Sequence, residues 1–248
     1  MKFESAQVSL LGTRAENQDR VAIEIGPQAS LMVVVDGMGG HSDGALAADE
    51  VLKSVLMSFR DIAHPIFDPL GFLHRAAGRA HARLIALGGD LQIDARPRAT
   101  CAMVLLQEGA SFWAHIGDSR IYCVRNDKVL ERTRDHSHVE LLLREGVITE
   151  AEVRTHPMRN FVECCLGGDP ALPEMSVTRR KPLQAGDLLL ACSDGLWSGV
   201  QDQDFAALSC LHNEHLAKGL EDMALAAVEA NLPHSDNTTL AAIRCLET

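Results

Sequence analysis

Aromatic residues are scarce in this chain, with two Trp, one Tyr and seven Phe among 248 residues. Because 46% of the sequence is nevertheless hydrophobic, the core has to be aliphatic. Positive charge is also in deficit. The 23 basic residues against 34 acidic ones give a formal net charge of −11, which argues against nucleic acid or an anionic membrane as the main partner. No stretch approaches the ~18 apolar residues of a membrane-spanning helix. The start, Met1-Lys2-Phe3-Glu4, lacks a signal-peptide pattern, so a cytoplasmic location and no membrane insertion are expected. The seven cysteines contain no Cys-x-x-Cys pair, which removes the zinc-ribbon and thioredoxin-like readings, and their odd count suits reduced thiols packed as small apolar residues. Nothing around Cys164-Cys165 would depress a thiol pKa. His136-Ser137-His138 has the spacing of two ligands on one strand face but no third ligand close in sequence, so a solvated loop is expected there. No repeat, linker or low-complexity stretch divides the chain. A single domain over residues 1–248 is expected.

What the chain does have is four aspartates at the ends of strand-like apolar runs. Asp36 closes Leu31–Val35 and precedes Gly37. Asp118 follows Phe112–Gly117, Asp194 follows Leu188–Ser193 and precedes Gly195, and Asp236 precedes Asn237–Ile243. Asp-Gly is in its own right a hairpin signal, since both residues tolerate tight turns. Two features weigh against that plain reading. The runs before Asp36 and Asp194 are apolar without alternation, as in strands covered on both faces, and the residues after Asp36 lead into a helix rather than a returning strand. Carboxylates delivered together by buried strands repel and need neutralising, and divalent cations do this with oxygen ligands.

The rest of the chain alternates sheet and helix. Strands are expected at 5–11, 20–25 and 31–36, then helices from Gly44 to about Arg60 and from about Leu70 to Leu87. Runs at 100–107, 111–115, 121–125 and 129–132 read as one meander. Short helices follow at 139–145 and 149–155, where Thr149 and Glu152 have capping-box spacing. Residues 157–170 read as irregular, 173–180 and 187–193 as strands, 215–231 as a helix and 238–246 as a final strand. Helices alongside an antiparallel meander imply an α+β fold with a two-layer sheet core and helices outside.

Five short motifs carry a family resemblance. Thr13-Arg14-Ala15-Glu16-Asn17-Gln18-Asp19, Val35-Asp36-Gly37-Met38-Gly39-Gly40-His41, Ile116-Gly117-Asp118-Ser119-Arg120, Ser193-Asp194-Gly195-Leu196-Trp197 and Ser235-Asp236-Asn237 occur in the order seen in bacterial metal-dependent protein phosphatases of the type 2C serine/threonine class. The chain resembles that family from about Arg14 to Ile243. The resemblance implies an αββα sandwich of two antiparallel sheets, metals at one end, and a flap subdomain around 138–170. It also implies hydrolysis of phosphoserine and phosphothreonine in protein substrates. A cognate Ser/Thr kinase or its targets would be the partners, in secretion (type VI included), cell-wall or translation control.

Site roles follow from the resemblance. Asp36 would bridge two Mn²⁺ or Mg²⁺ ions and the Gly37 carbonyl would serve the second. Asp194 and Asp236 would complete the first, and Asp118 with Asp194 would hold a third, weaker ion. Asp19 would hold metal-bound water. Arg14 would clamp phosphate, against the plain reading of a surface ion pair, and Asn160 in the flap would contact substrate. Two cations can orient phosphoryl oxygens and activate a bridging water as hydroxide for in-line attack. Oxygen ligands suit Mg²⁺ or Mn²⁺ better than zinc. Met38 stands where animal members carry a histidine, leaving the general acid open between His41 and a metal-bound water, with His41 alternatively a packing residue. Three departures are visible: Gln18 replaces an acidic residue, Ala99-Thr100-Cys101 replaces Gly-Thr-Thr, and Glu163-Cys164 replaces Thr-Arg in the flap. The last would weaken preference for acidic flanking sequence. The rival readings are a pseudophosphatase that binds phosphoproteins without turnover, a metal-sensing or structural domain, and a small-molecule phosphatase.

Overall fold

The computed structural model describes residues 2–38, 43–153, 155–178, 180–210 and 215–246. The N-terminal half contains β1 (Lys2–Leu10), β2 (Asp19–Ile25), β3 (Ala29–Met38), α1 (Asp43–Arg60) and α2 (Pro69–Leu87). The middle contains β4 (Arg98–Ala99), β5 (Cys101–Gln107), β6 (Ala110–Ile116), β7 (Arg120–Arg125), β8 (Lys128–Arg132), α3 (His138–Arg144) and α4 (Glu150–Val153). The remainder contains β9 (Leu166–Gly167), β10 (Ser176–Val177), β11 (Lys181–Pro182), β12 (Leu188–Cys192), α5 (Asp194–Trp197), α6 (Asp202–Ala207), α7 (Leu216–Ala230) and β13 (Thr238–Leu246).

Two antiparallel sheets result. One runs β1-β13-β12-β7-β8; the other runs β10-β6-β5-β3-β4-β9, with β2 also paired to β3 and β11 to β6. Helices α1 and α2 cover the second sheet, and α5, α6 and α7 cover the first. This is the αββα sandwich that the motifs implied. Strand β3 explains the apolar run without alternation. Leu31, Val33 and Val35 pack against helix residues such as Val51, Val55 and Leu73, while Met32 and Val34 pack between the sheets with Trp113, Leu189 and Ile243. A strand with no solvated face has no polar positions to alternate with. Side chains two apart share a face, so Asp36 ends the inter-sheet layer that Met32 and Val34 begin. Strand β12 divides in the same way: Leu188, Leu190 and Cys192 lie under α7, and Leu189 and Ala191 lie between the sheets.

The single-meander expectation fails at its middle. β5 pairs β6 and β7 pairs β8, but β6 and β7 belong to different sheets, so residues 117–119 are a crossover and not a hairpin turn. Spacing alone does not distinguish the two, because both need only a tight turn between short strands. Gly117 makes this turn with φ +97°, and a Cβ there would come within 2.6 Å of the Thr100 side chain. Thr100 Oγ1 and Ser119 Oγ, 2.6 Å apart, share a hydrogen bond across the crossover. The strand expected at 173–180 shrinks to β10, followed by β11, both on the open edge of β6. Residues 157–170, expected to be irregular, carry β9 and a bridge between Ser137 and Val162. At the start of α4 the Thr149 N–H and Oγ1 both donate to Glu152 Oε2, at 2.7 and 2.8 Å. Helix α6 was not anticipated. No helix among the described residues is long and apolar enough to cross a membrane.

Candidate active site

The two sheets and the crossover bring the aspartates to one place. β2 and β3 align Asp19 opposite Asp36, Asp118 lies in the β6–β7 crossover, Asp194 opens α5, and Asp236 lies two residues before β13. A cavity of about 800 Å³ is lined by Asp36, Gly37, Asp118, Asp194 and Asp236, with Arg14 and Asn160 at its wall. Asp19 is buried behind this wall, where Ser193 Oγ donates to its Oδ2 at 2.7 Å. His41 lies outside the described residues. Gly37 is required by close packing: a Cβ there would sit 2.0 Å from the Gly44 carbonyl oxygen, and its N–H donates to the Gln18 carbonyl at 3.1 Å.

Electrostatics at this cavity are dominated by burial and like charge. Burial, then the charges of Asp194 and Asp236, push the Asp19 carboxyl up to about 7, against hydrogen bonds from Ser193 and Thr239. Burial, then Asp236, pushes Asp194 up to about 6. Asp36 is raised well above the usual carboxylate range by burial and by Asp19, and Asp118 by burial and by Asp194. Among the described lining residues only Arg14 is a cation. It donates through Nη2 to Asp236 Oδ2 at 2.6 Å, and that bond raises its own pKa. The plain reading of Arg14 as an ion pair is therefore realised at the cavity wall. With the two side chains 57% and 36% exposed, the pair contributes little stability.

Several residues quoted in the motifs but given no role prove to hold the site. The buried Asn237 donates through Nδ2 to the carbonyls of Leu11 and Glu16, at 2.9 and 3.0 Å, and its Oδ1 accepts from Gln18 N–H at 2.8 Å. With Thr13 N–H donating to the Ser235 carbonyl, these bonds fix the loop that carries Arg14. Ser193 links Asp19 to β13 by also accepting from Thr239 N–H at 3.1 Å. Trp197 Nε1 donates to the Asp118 carbonyl at 2.9 Å, and its ring lies 3.7 Å from the Arg120 guanidinium. Arg120 in turn forms a buried bidentate pair with Asp135, at 2.8 and 2.7 Å. The available signal was position: each follows or precedes a cavity aspartate within the same motif.

Other expectations are corrected here. His136 is not in a solvated loop, because it stacks on His115 at 4.6 Å, and its Nε2 shares a hydrogen bond with Ser176 Oγ at 2.8 Å. Glu163 does not line the cavity; it pairs with His138 at 2.9 Å on a separate cleft. Burial raises the thiols of Cys164 and Cys165, opposite to what a redox pair needs.

The donor set fits divalent cations of the Mg²⁺ or Mn²⁺ type. Among the described residues no three His, Cys, Asp or Glu side chains close on one point as a complete protein cage. Hydrated hard cations do not require one, since they take one or two carboxylates and keep water and phosphate oxygens as further ligands. Five carboxylates (Glu16, Asp36, Asp118, Asp194 and Asp236) with one cationic side chain among the described residues of the same cavity leave negative charge for such ions to offset.

Residues 8–232 match the profile of the protein phosphatase 2C family. The serine/threonine protein phosphatase PstP of Mycobacterium tuberculosis is 32% identical over 228 residues, covering 92% of this chain; the chain spans only 42% of that relative's length. The crystal structure of the PstP catalytic domain in complex with two manganese ions superposes with a TM-score of 0.80 at 26% identity, covering 99% of both chains. The S. agalactiae serine/threonine phosphatase superposes with a TM-score of 0.88 at 25% identity, over 99% of this chain and 100% of its own. With the profile spanning most of the sequence and the sandwich carrying its aspartates at one end, the chain belongs to the protein phosphatase 2C family of bacterial metal-dependent phosphatases.

Proposed function

We propose that the chain is a Mn²⁺- or Mg²⁺-dependent protein serine/threonine phosphatase, built as one catalytic domain with a flap around 138–170, that acts in the cytoplasm on targets of a bacterial Ser/Thr kinase. The observation that carries this is the convergence of Asp36, Asp118, Asp194 and Asp236 on one cavity beside Arg14. Asp36, the Gly37 carbonyl, Asp194 and Asp236 would hold two ions, and Asp118 with Asp194 a third. When bound, such ions orient phosphoryl oxygens and lower the pKa of a water that attacks phosphorus.

The protein's own groups do the rest. Arg14 offers a planar, permanently charged fork for phosphate oxygens, and its exposed bond to Asp236 is weak enough to be exchanged for them. Asp19, held by Ser193 and paired across the strands with Asp36, would hold metal-bound water. Asn160 at the cavity wall is the flap's substrate contact. His41 stays the candidate acid for the leaving hydroxyl.

The test is phosphate release from a phosphothreonine peptide and from p-nitrophenyl phosphate with Mn²⁺, Mg²⁺ or EDTA, alongside Asp36→Asn and Asp194→Ala. Release that needs the metal and drops at least ~100-fold in both variants is expected, since each removes charge stabilisation at the reacting group. A folded wild type that binds Mn²⁺ but releases no phosphate from either compound would instead make the chain a phosphoprotein-binding pseudophosphatase.

A further inference from the structure

A second cavity, of about 340 Å³, opens beside the first and shares Arg14, Asn160, Asp194 and Asp236 with it as a common wall. Beyond that wall its character changes. Val139 of α3, Val153 of α4, Trp197 of α5 and Leu232 just after α7 form an apolar floor. Two of the polar groups beside that floor are already engaged. The Trp197 N–H is donated to the Asp118 carbonyl, and Asn231 Nδ2 donates to Ser198 Oγ and to the Ala227 carbonyl, each at 3.1 Å. Leu232, by contrast, is 56% exposed, a large apolar side chain at the cavity that a ligand would cover. Arg159 and His234 also line the space, so together with Arg14 the flap and the α7–β13 connection put basic groups around an apolar pocket.

We propose that this cavity is a specificity subsite for the substrate residue adjacent to the phosphoserine or phosphothreonine, and that it takes an apolar side chain of leucine, methionine or phenylalanine size. The inference rests on the phosphatase reading, because the shared wall is what ties the pocket to the phosphoryl site. A phosphoryl group among Arg14, Asp36 and Asp236 leaves the peptide at the common wall, and the neighbouring side chain then faces Trp197 and Leu232. A polar side chain laid on Val139, Val153, Trp197 and Leu232 would leave water without gaining a partner from them.

The test uses phosphothreonine peptides that differ only in carrying Leu or Ser next to the phosphothreonine, before it in one pair and after it in the other. In the full chain with Mn²⁺, one Leu peptide is expected to have a kcat/KM roughly 10-fold above its Ser counterpart, within the discrimination that apolar pockets achieve. The difference should lie in KM. Leu232→Asp should bring that ratio to about one, and Leu232→Met should keep it. Equal kcat/KM for Leu and Ser at both positions, or a ratio that survives Leu232→Asp, would overturn the subsite while leaving the phosphatase intact. If neither the peptides nor p-nitrophenyl phosphate are hydrolysed, the phosphatase reading fails. Fluorescence polarisation of the same peptides, fluorescein-labelled, then decides the subsite by whether Leu binds more tightly than Ser and loses that advantage in Leu232→Asp.

Discussion

Asn237 places one buried amide between three backbone groups of a loop more than two hundred residues away in sequence. Its Nδ2 donates to the Leu11 and Glu16 carbonyls and its Oδ1 accepts from Gln18 N–H, so the loop carrying Arg14 is held against the start of β13. A typical intramolecular hydrogen bond contributes ~1 kcal/mol net, and leaving buried groups unpaired costs more. Asn237→Ala is therefore expected to destabilise the fold by about 3 kcal/mol and to raise KM for phosphopeptide as Arg14 loses its fixed position. Urea unfolding and steady-state kinetics measure the two effects, and an unchanged midpoint would mean that the loop is held elsewhere. Asp236 and Asn237 thus divide the work between them, the first facing the cavity and the second facing the scaffold. That division could not be read from a dipeptide in a motif, because it depends on a contact with β1's end and the loop beyond it.

At the scale of elements, the instructive piece is the β6–β7 crossover. Runs such as Leu31–Val35 announce strands buried on both faces, so the existence of β3 and β12, and the layered core around them, was legible from apolar residues without alternation. The partner of each strand was not. Residues 110–125 spell two strands and a tight turn whether the chain returns in the same sheet or passes to the other, and only the packing of Gly117 against Thr100 makes the choice visible. Helix α6 escaped for a related reason, being six residues long with its cap, Gln201 N–H donating to Asp204 Oδ2 at 2.7 Å, as its only local signal. The four cavity aspartates were legible because strand ends deliver side chains predictably, whereas Ser193, Trp197 and Asn237 act through partners distant in sequence. Gly117→Ala is expected to cost at least ~2 kcal/mol, combining a left-handed φ of +97° with a Cβ 2.6 Å from Thr100. It should also weaken Mn²⁺ binding at the third site proposed next to Asp118, as read by titration calorimetry; a loss of stability with every metal affinity unchanged would separate the turn from the site.

For the whole molecule, the aspartate cluster makes stability depend jointly on pH and on divalent cations. Asp19 is raised to about 7 and Asp194 to about 6, both from an unfolded value of 3.8. A carboxyl whose pKa is higher in the folded state binds more protons folded than unfolded, so it adds stability below its unfolded pKa and loses it as pH rises through the folded one. For these groups the window of loss runs from about 4 to about 7, opposite in sign to an ordinary salt-bridged carboxylate. Cations bound at the proposed centre would reverse it, because they favour the deprotonated cluster of the folded chain and stabilise by mass action, ~2.7 kcal/mol at one hundred times Kd. In EDTA, Asp19→Asn should gain in Tm relative to wild type as pH rises from 5 to 8, since the amide imitates the protonated acid. The Tm difference between Mn²⁺ and EDTA should be small at pH 5 and grow to about 5–10 °C at pH 8, given 2–4 °C per kcal/mol for a chain of this length. Differential scanning calorimetry of both proteins at three pH values tests this directly. A metal-induced shift independent of pH would mean that the cations bind away from Asp19 and Asp194, and the cavity would then lose its claim to be the metal centre.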